Sequence, residues 1–190
     1  MQARDRTVTV REYFRRDAES EVRLEYWHGY IVAMAGETRN HNAVKDDIVG
    51  AVCSQRSDCL VLTSGQRVRA LGYGRENYAY PDGLMVCGQE HYDETVNPPT
   101  LLNPTLLIEV TSASTKGYDL GEKFNAYFQL KSLQEYWIID PDRPDVRQNI
   151  RTGGAVVVRL LQGLDDVLVS EALGLELPLR AIYRRVEGLS

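Results

Sequence analysis

Thr105-Leu106-Leu107-Ile108-Glu109-Val110-Thr111 is short, apolar and partly β-branched, with no alternation of polar and apolar residues. That pattern predicts a central strand buried on both faces. Its one charge is out of place, because an unpaired carboxylate taken from water loses much of its solvation energy. Something in the fold must therefore compensate Glu109. Upstream, residues 79–86 form a second run of this kind, broken early by Pro81 in Tyr80-Pro81-Asp82-Gly83. Downstream, Leu120, Phe124, Tyr127, Phe128 and Leu130 fall near helical spacing, and the helix they predict carries Lys123. Two carboxylates on neighbouring strands, with a lysine nearby, can hold a divalent cation and orient a water beside a phosphodiester.

Working outward, Glu135-Tyr136-Trp137-Ile138-Ile139-Asp140 predicts a further strand, ended by Pro141. On the other side, Val44, Ile48, Val49 and Val52 predict a helix of about four turns opened by His41, with Lys45, Asp46 and Asp47 on its opposite face. Residues 60–70 read as one strand and 72–77 as turn. The core order is then helix, strand, strand, strand, helix, strand. Before it, Thr9 and Glu12 mark a capped short helix, and His28-Gly29 joins two apolar runs as a hairpin. After it, 155–161 and 167–169 predict strands, 173–179 continues the apolar pattern, and the C-terminus is weakly helical.

The chain has 190 residues, 43% of them hydrophobic, enough for one full core and short for two. A single domain over 1–190 is expected, with its core at about 41–141. A net charge of −5 and a pI near 5.3 argue against gripping nucleic acid with the whole surface, although Arg67, Arg69, Arg75, Lys116 and Lys123 leave room for a local basic rim. No apolar run approaches the roughly 20 residues that span a bilayer, so no membrane segment is expected. The first six residues carry charges of both signs and lack a secretory apolar stretch, which reads as cytoplasmic. Cys53, Cys59 and Cys87 are odd in number without CxxC spacing, and are expected as three free thiols.

Taken in order, these residues resemble the PD-(D/E)xK nuclease superfamily and, within it, the Uma-two family of restriction-endonuclease-like proteins. The resemblance rests on Leu24-Glu25 with His28-Gly29-Tyr30-Ile31-Val32, on His41, on Tyr80-Pro81-Asp82 and on Leu107-Ile108-Glu109-Val110-Thr111-Ser112. Asp119-Leu120-Gly121-Glu122-Lys123, Tyr127 and Glu135-Tyr136-Trp137-Ile138-Ile139-Asp140-Pro141 complete it. It implies an α/β fold: a restriction-endonuclease-like α-β-β-β-α-β core, a mixed central sheet flanked by helices, with an extra N-terminal hairpin and C-terminal strands. It also implies a metal-dependent endonuclease acting on DNA, with Mg²⁺ or Mn²⁺ as cofactor. Asp82, Glu109 and the backbone carbonyl of Val110 would be the ligands. The superfamily's usual lysine, two residues past the third-strand acid, is Thr111 here, and Lys123 is the substitute. Lys123 would orient or help deprotonate the attacking water, or stabilise the transition state.

Four further residues are expected in support. Asp119 either caps the helix or pairs with Lys123 one turn on. Glu25 either extends the metal site or pairs with an arginine. His41 reaches phosphate or metal, or makes a structural hydrogen bond. Tyr127 packs with its hydroxyl near the cleft. Ser112, Ser114 and Thr115 read as turn and capping groups. A homodimer fits nucleases of this fold, with Tyr136-Trp137 and the C-terminal strands as interface candidates. The rival reading is a catalytically inactive nuclease-fold module that binds nucleic acid or protein.

Overall fold

The computed structural model describes residues 7–34, 36–111 and 116–189. The central sheet is six-stranded, in the order β12-β11-β10-β9-β6-β3. These strands are β3 (Leu60–Thr63), β6 (Gly83–Val86), β9 (Leu106–Val110), β10 (Glu135–Ile139), β11 (Asp145–Thr152) and β12 (Ala155–Gln162). β9 and β10 run parallel and the other neighbours antiparallel, so the sheet is mixed as expected.

Because successive side chains on a strand point to opposite faces, the apolar run of β9 serves two cores. Leu106, Ile108 and Val110 pack with Val44, Ile48, Val49 and Val52 of helix α2 (Arg39–Gln55), while Leu107 joins Leu84, Tyr136 and Ile138 on the other face. That other face is covered by helix α3, which runs through Lys116–Tyr118, Asp119–Lys123 and Phe124–Tyr127 with its middle five residues in π geometry. The expected order α-β-β-β-α-β is therefore α2-β3-β6-β9-α3-β10. β11 was not expected, since Asp145-Val146-Arg147-Gln148-Asn149-Ile150 lacks an apolar run.

A second six-stranded sheet, β2-β1-β5-β4-β8-β7, lies over the α3 side. It consists of β1 (Leu24–Trp27), β2 (Tyr30–Ala33), β4 (Val68–Gly72), β5 (Arg75–Ala79), β7 (Tyr92–Asp93) and β8 (Thr100–Leu101). The sequence reading merged elements here. Residues 60–70 form two strands in different sheets, and the expected turn at 72–77 is the β4–β5 hairpin, turning only at Tyr73-Gly74. Residues 79–86 likewise split. Ala79 ends β5 and Gly83 starts β6, so Tyr80-Pro81-Asp82 is the crossing between sheets. Proline suits that crossing, having no amide hydrogen to give either ladder. Gly83 permits close packing of α2: a Cβ there would stand 2.7 Å from Val49 Cγ2.

Helix α1 (Val10–Glu19) begins as expected, with the Glu12 amide donating to Thr9 Oγ1. Its Tyr13 packs on Tyr26 and Tyr78 of the second sheet. Asp17 reaches Arg67, which is buried and also donates to Thr100 Oγ1 and the Pro98 carbonyl. At the C-terminus, the hairpin β13 (Val167–Ser170) and β14 (Leu175–Pro178) leads into helix α4 (Leu179–Ile182), and both pack on α2.

Several expectations need correction. Lys45 and Asp47 are buried rather than on a solvent face: Lys45 pairs with Glu37, and Asp47 with Arg184 and Arg185. Tyr136 and Trp137 are fully buried within the chain and offer nothing to a dimer interface. Cys59 and Cys87 form a disulfide between β3 and the end of β6, leaving Cys53 as the free thiol. Spacing hid this pair because it is made by strand register, Leu60 standing opposite Val86. Among the described residues, no helix is long and apolar enough to cross a membrane.

Candidate active site

Asp82 lies at the sheet crossing, one step past the Gly83–Ile108 pair of β6 and β9. Its Oδ2 accepts from the Val110 amide at 2.7 Å, which fixes the carboxylate at the end of β9. The same oxygen is 3.4 Å from His41 Nε2, in the first turn of α2. His41 Nδ1 in turn is 3.6 Å from Glu37 Oε2, just before the Thr38 cap. Glu37, His41 and Asp82 offer donor atoms all within 4.8 Å of one another. Burial would lower the His41 pKa, but the hydrogen bond and charge of Asp82, with Glu37 behind, hold it above the ordinary value. Lys45, one turn along α2, sits on Glu37.

The second group meets between β9, α3 and β1. Glu109 Oε1 accepts from Lys123 Nζ at 3.0 Å and from the Tyr127 hydroxyl at 2.9 Å. Lys123 also touches Glu25 Oε1 at 3.2 Å and Asp119 Oδ1 at 3.5 Å. Glu25 is held in turn by the Trp27 indole, at 3.1 Å, and by the Tyr80 amide, at 3.2 Å. Burial pushes the Glu109 carboxyl well above its usual range; Asp119, Asp82 and Glu25 add to this against the pull of Lys123. Burial alone would depress the Lys123 ammonium, yet Glu109, Glu25 and Asp119 together hold it well above its ordinary value.

The sequence-predicted residues Asp82, Glu109, Lys123, Asp119, Glu25, His41 and Tyr127 thus fall in two adjoining groups, with the Val110 amide tied to the first. Asp119 is inside the α3 helix rather than at its cap, and of its two expected roles the Lys123 contact is the one present. Glu25 pairs with Lys123, not with an arginine. The π geometry over Asp119–Lys123 departs from the regular i, i+4, i+8 row, yet Asp119, Lys123 and Tyr127 are all buried toward the site. Thr111 Oγ1 donates weakly back to the Ile139 carbonyl, at 3.4 Å. Two members of the expected basic rim, Arg67 and Lys123, are buried and paired; Arg69 leans on Glu76 and Asp93, while Arg75 is exposed. Ser112, Ser114 and Thr115 lie outside the described residues. Sequence reasoning missed Glu37, whose only signal was its place four residues before His41, just ahead of a helix N-cap.

A family model described as "Uma2: Putative restriction endonuclease" matches residues 10–180. The chain belongs to the Uma2 family. Two uncharacterized proteins of Synechocystis sp. are similar to this Uma2 chain. One is 28% identical over 138 residues, covering 73% of this chain and 77% of the relative. The other is 26% identical over 179 residues, covering 93% and 92%. A crystal structure described as a putative nuclease belonging to DUF820, from Anabaena variabilis, superposes with a TM-score of 0.71 at 17% identity, covering 87% of this chain and 92% of that one. At that identity the likeness establishes the Uma2 chain's fold, which is restriction-endonuclease-like.

Proposed function

We propose that this protein is a divalent-metal-dependent endonuclease that hydrolyses DNA phosphodiester bonds at the junction of β6, β9, α2 and α3. The observation that carries this reading is a charge imbalance. Glu25, Glu37, Asp82, Glu109 and Asp119 converge against the ammonium groups of Lys45 and Lys123 and the imidazole of His41. Among the described residues, these five carboxylates face two lysines and one imidazole, and such a group, most of it nearly dry, is costly to hold together. A bound divalent cation would relieve them, and carboxylate oxygens with one imidazole form a suitable donor set.

Such an ion, when bound, supplies a water of lowered pKa and neutralises charge developing on the phosphate. In this reading Asp82 and Glu109 hold it, with the Val110 carbonyl as the third expected ligand. Lys123 presents its ammonium to the reacting phosphate or water while Glu25 and Asp119 fix its position. Tyr127 orients Glu109 through the hydroxyl bond. Thr111, which supplies no cation at the superfamily's usual lysine position, favours the rival reading of an inactive binding module.

Nicking of supercoiled plasmid with Mg²⁺, Mn²⁺ or EDTA separates the two. The expected result is metal-dependent nicking by the wild type, lost in Asp82→Ala and in the isosteric Asp82→Asn. Absence of nicking by the wild type with either metal would favour the binding module. Equal nicking by identically purified Asp82 variants would remove Asp82 from the chemistry.

A further inference from the structure

We infer that Tyr73 and His28 form a stacking platform for an unpaired nucleobase, which holds the substrate strand by a base face close to the Glu25–Lys123 group. This rests on the nuclease reading and deepens it by naming the substrate class: nucleic acid with a base out of the duplex.

The platform is built from two turns. His28-Gly29 closes the β1–β2 hairpin and Tyr73-Gly74 the β4–β5 hairpin, each as a two-residue loop. The φ angles are 52° and 93° in the first loop, 50° and 71° in the second. Positive φ at both central residues marks the type I′ turn, whose first position favours Asn, Asp or Gly because a bulky side chain is strained there. Here a ring stands at that position both times. Because β1 and β5 pair antiparallel, through Tyr26 and Tyr78, both loops lie at the same end of the sheet. The two rings meet there, 5.5 Å between centroids and tilted by 57°.

A strained backbone persists only where its surroundings hold it, and such positions gather at functional sites. The His28 amide donates to Oδ1 of the fully buried Asn77 at 2.9 Å. Gly72 leaves room for the imidazole, since a Cβ there would stand 3.3 Å from His28 Cε1. Tyr73 is 79% exposed, the most exposed large hydrophobic side chain among the described residues, so little packing offsets its strain. What it offers is a ring face to solvent. The platform adjoins the candidate site: His28 Nε2 is 3.6 Å from Glu122 Oε2, the residue before Lys123. The next ring inward, Trp27, meets Tyr127 edge-on at 6.2 Å and donates to Glu25 at 3.1 Å.

Charge makes such a platform useful. With a net charge of −5, and with Arg67 and Lys123 buried in ion pairs, the chain is poorly equipped to hold a strand by its phosphates alone. Stacking is open to every base and does not draw on phosphate charge. In a duplex each base face is covered by its neighbours, so a ring platform selects bases that are unpaired.

Fluorescence of 2-aminopurine within a single-stranded oligonucleotide, titrated with the full chain in EDTA at low salt, tests this apart from cleavage, because stacking on an aromatic ring quenches the emission. The wild type should quench it, and should quench the same base far less within a matched duplex. Tyr73→Asn suits the turn and removes the ring; it should weaken single-strand binding about five- to tenfold with the thermal midpoint kept or raised. Tyr73→Phe and Tyr73→Trp keep a ring face and should keep the binding. Absence of quenching by the wild type, equal quenching within the duplex, or unchanged affinity in Tyr73→Asn would overturn the platform and leave the nuclease reading standing if plasmid is still nicked. The expected binding pattern without metal-dependent nicking would uphold the platform and sink the nuclease instead.

Discussion

Glu109 is held against its own solvation. Burial and the neighbouring Asp119, Asp82 and Glu25 favour its neutral form, against the Lys123 ammonium and the Tyr127 hydroxyl that donate to it. Without a bound cation, the charged carboxylate is therefore a cost to the fold at neutral pH. Glu109→Gln keeps the shape and an acceptor for Tyr127 while removing the charge. The expected outcome is a thermal midpoint in EDTA raised by about 2–4 °C, the shift that roughly 1 kcal/mol makes in a chain of this size, together with loss of nicking. Calorimetry in EDTA checks it, and a lowered midpoint would contradict it. Lys123→Ala acts in the opposite sense, leaving Glu25, Glu109 and Asp119 without their shared cation. Urea unfolding in EDTA should show a loss of about 3–5 kcal/mol, reduced when a divalent ion is added.

Gly83 shows what positions the site at the level of elements. An added Cβ would lie 2.7 Å from Val49 Cγ2 and 3.4 Å from Ile108 Cδ1, so Gly83→Ala must push α2 off the central sheet. Equilibrium unfolding should report a loss of about 1–3 kcal/mol. A variant as stable as the wild type would show that α2 yields more easily than its packing suggests. The central elements were legible because they obey simple periods: Val44, Ile48, Val49 and Val52 at helical spacing, Leu106-Leu107-Ile108 as an unbroken run. Of the second sheet only the β1–β2 hairpin was legible, because the other strands are short and carry inward polar residues such as Asn77 whose partners lie far away in sequence. Asp82, Glu109 and Lys123 stood out as charges in apolar contexts. Glu37 did not, since nothing around it in sequence marks an exposed loop glutamate as facing His41 and Asp82.

Over the whole molecule, an unusual share of the core is phenolic. Tyr13, Tyr78, Tyr127, Tyr136 and Tyr183 are buried, and Tyr80, bonded to Asp17, has its hydroxyl pushed up to about 12, chiefly by burial. A tyrosine whose folded pKa exceeds its unfolded value near 10 keeps its proton longer in the native state. Its contribution is complete below pH 10 and fades as pH climbs toward 12. Urea midpoints should therefore fall steeply over that window, with phenolate absorbance rising together with unfolding; a flat midpoint would contradict this. Tyr80 also belongs to the crossing between the sheets, where its amide holds Glu25, its hydroxyl reaches Asp17, and Asp82 follows two residues on. One residue added within 80–82 would turn Asp82 toward the opposite side of the pleat or free Glu25, whichever sheet kept its register. Lineages of this chain should therefore vary in length along the mostly exposed stretch 88–99, and keep the three-residue crossing at constant length even where its side chains change.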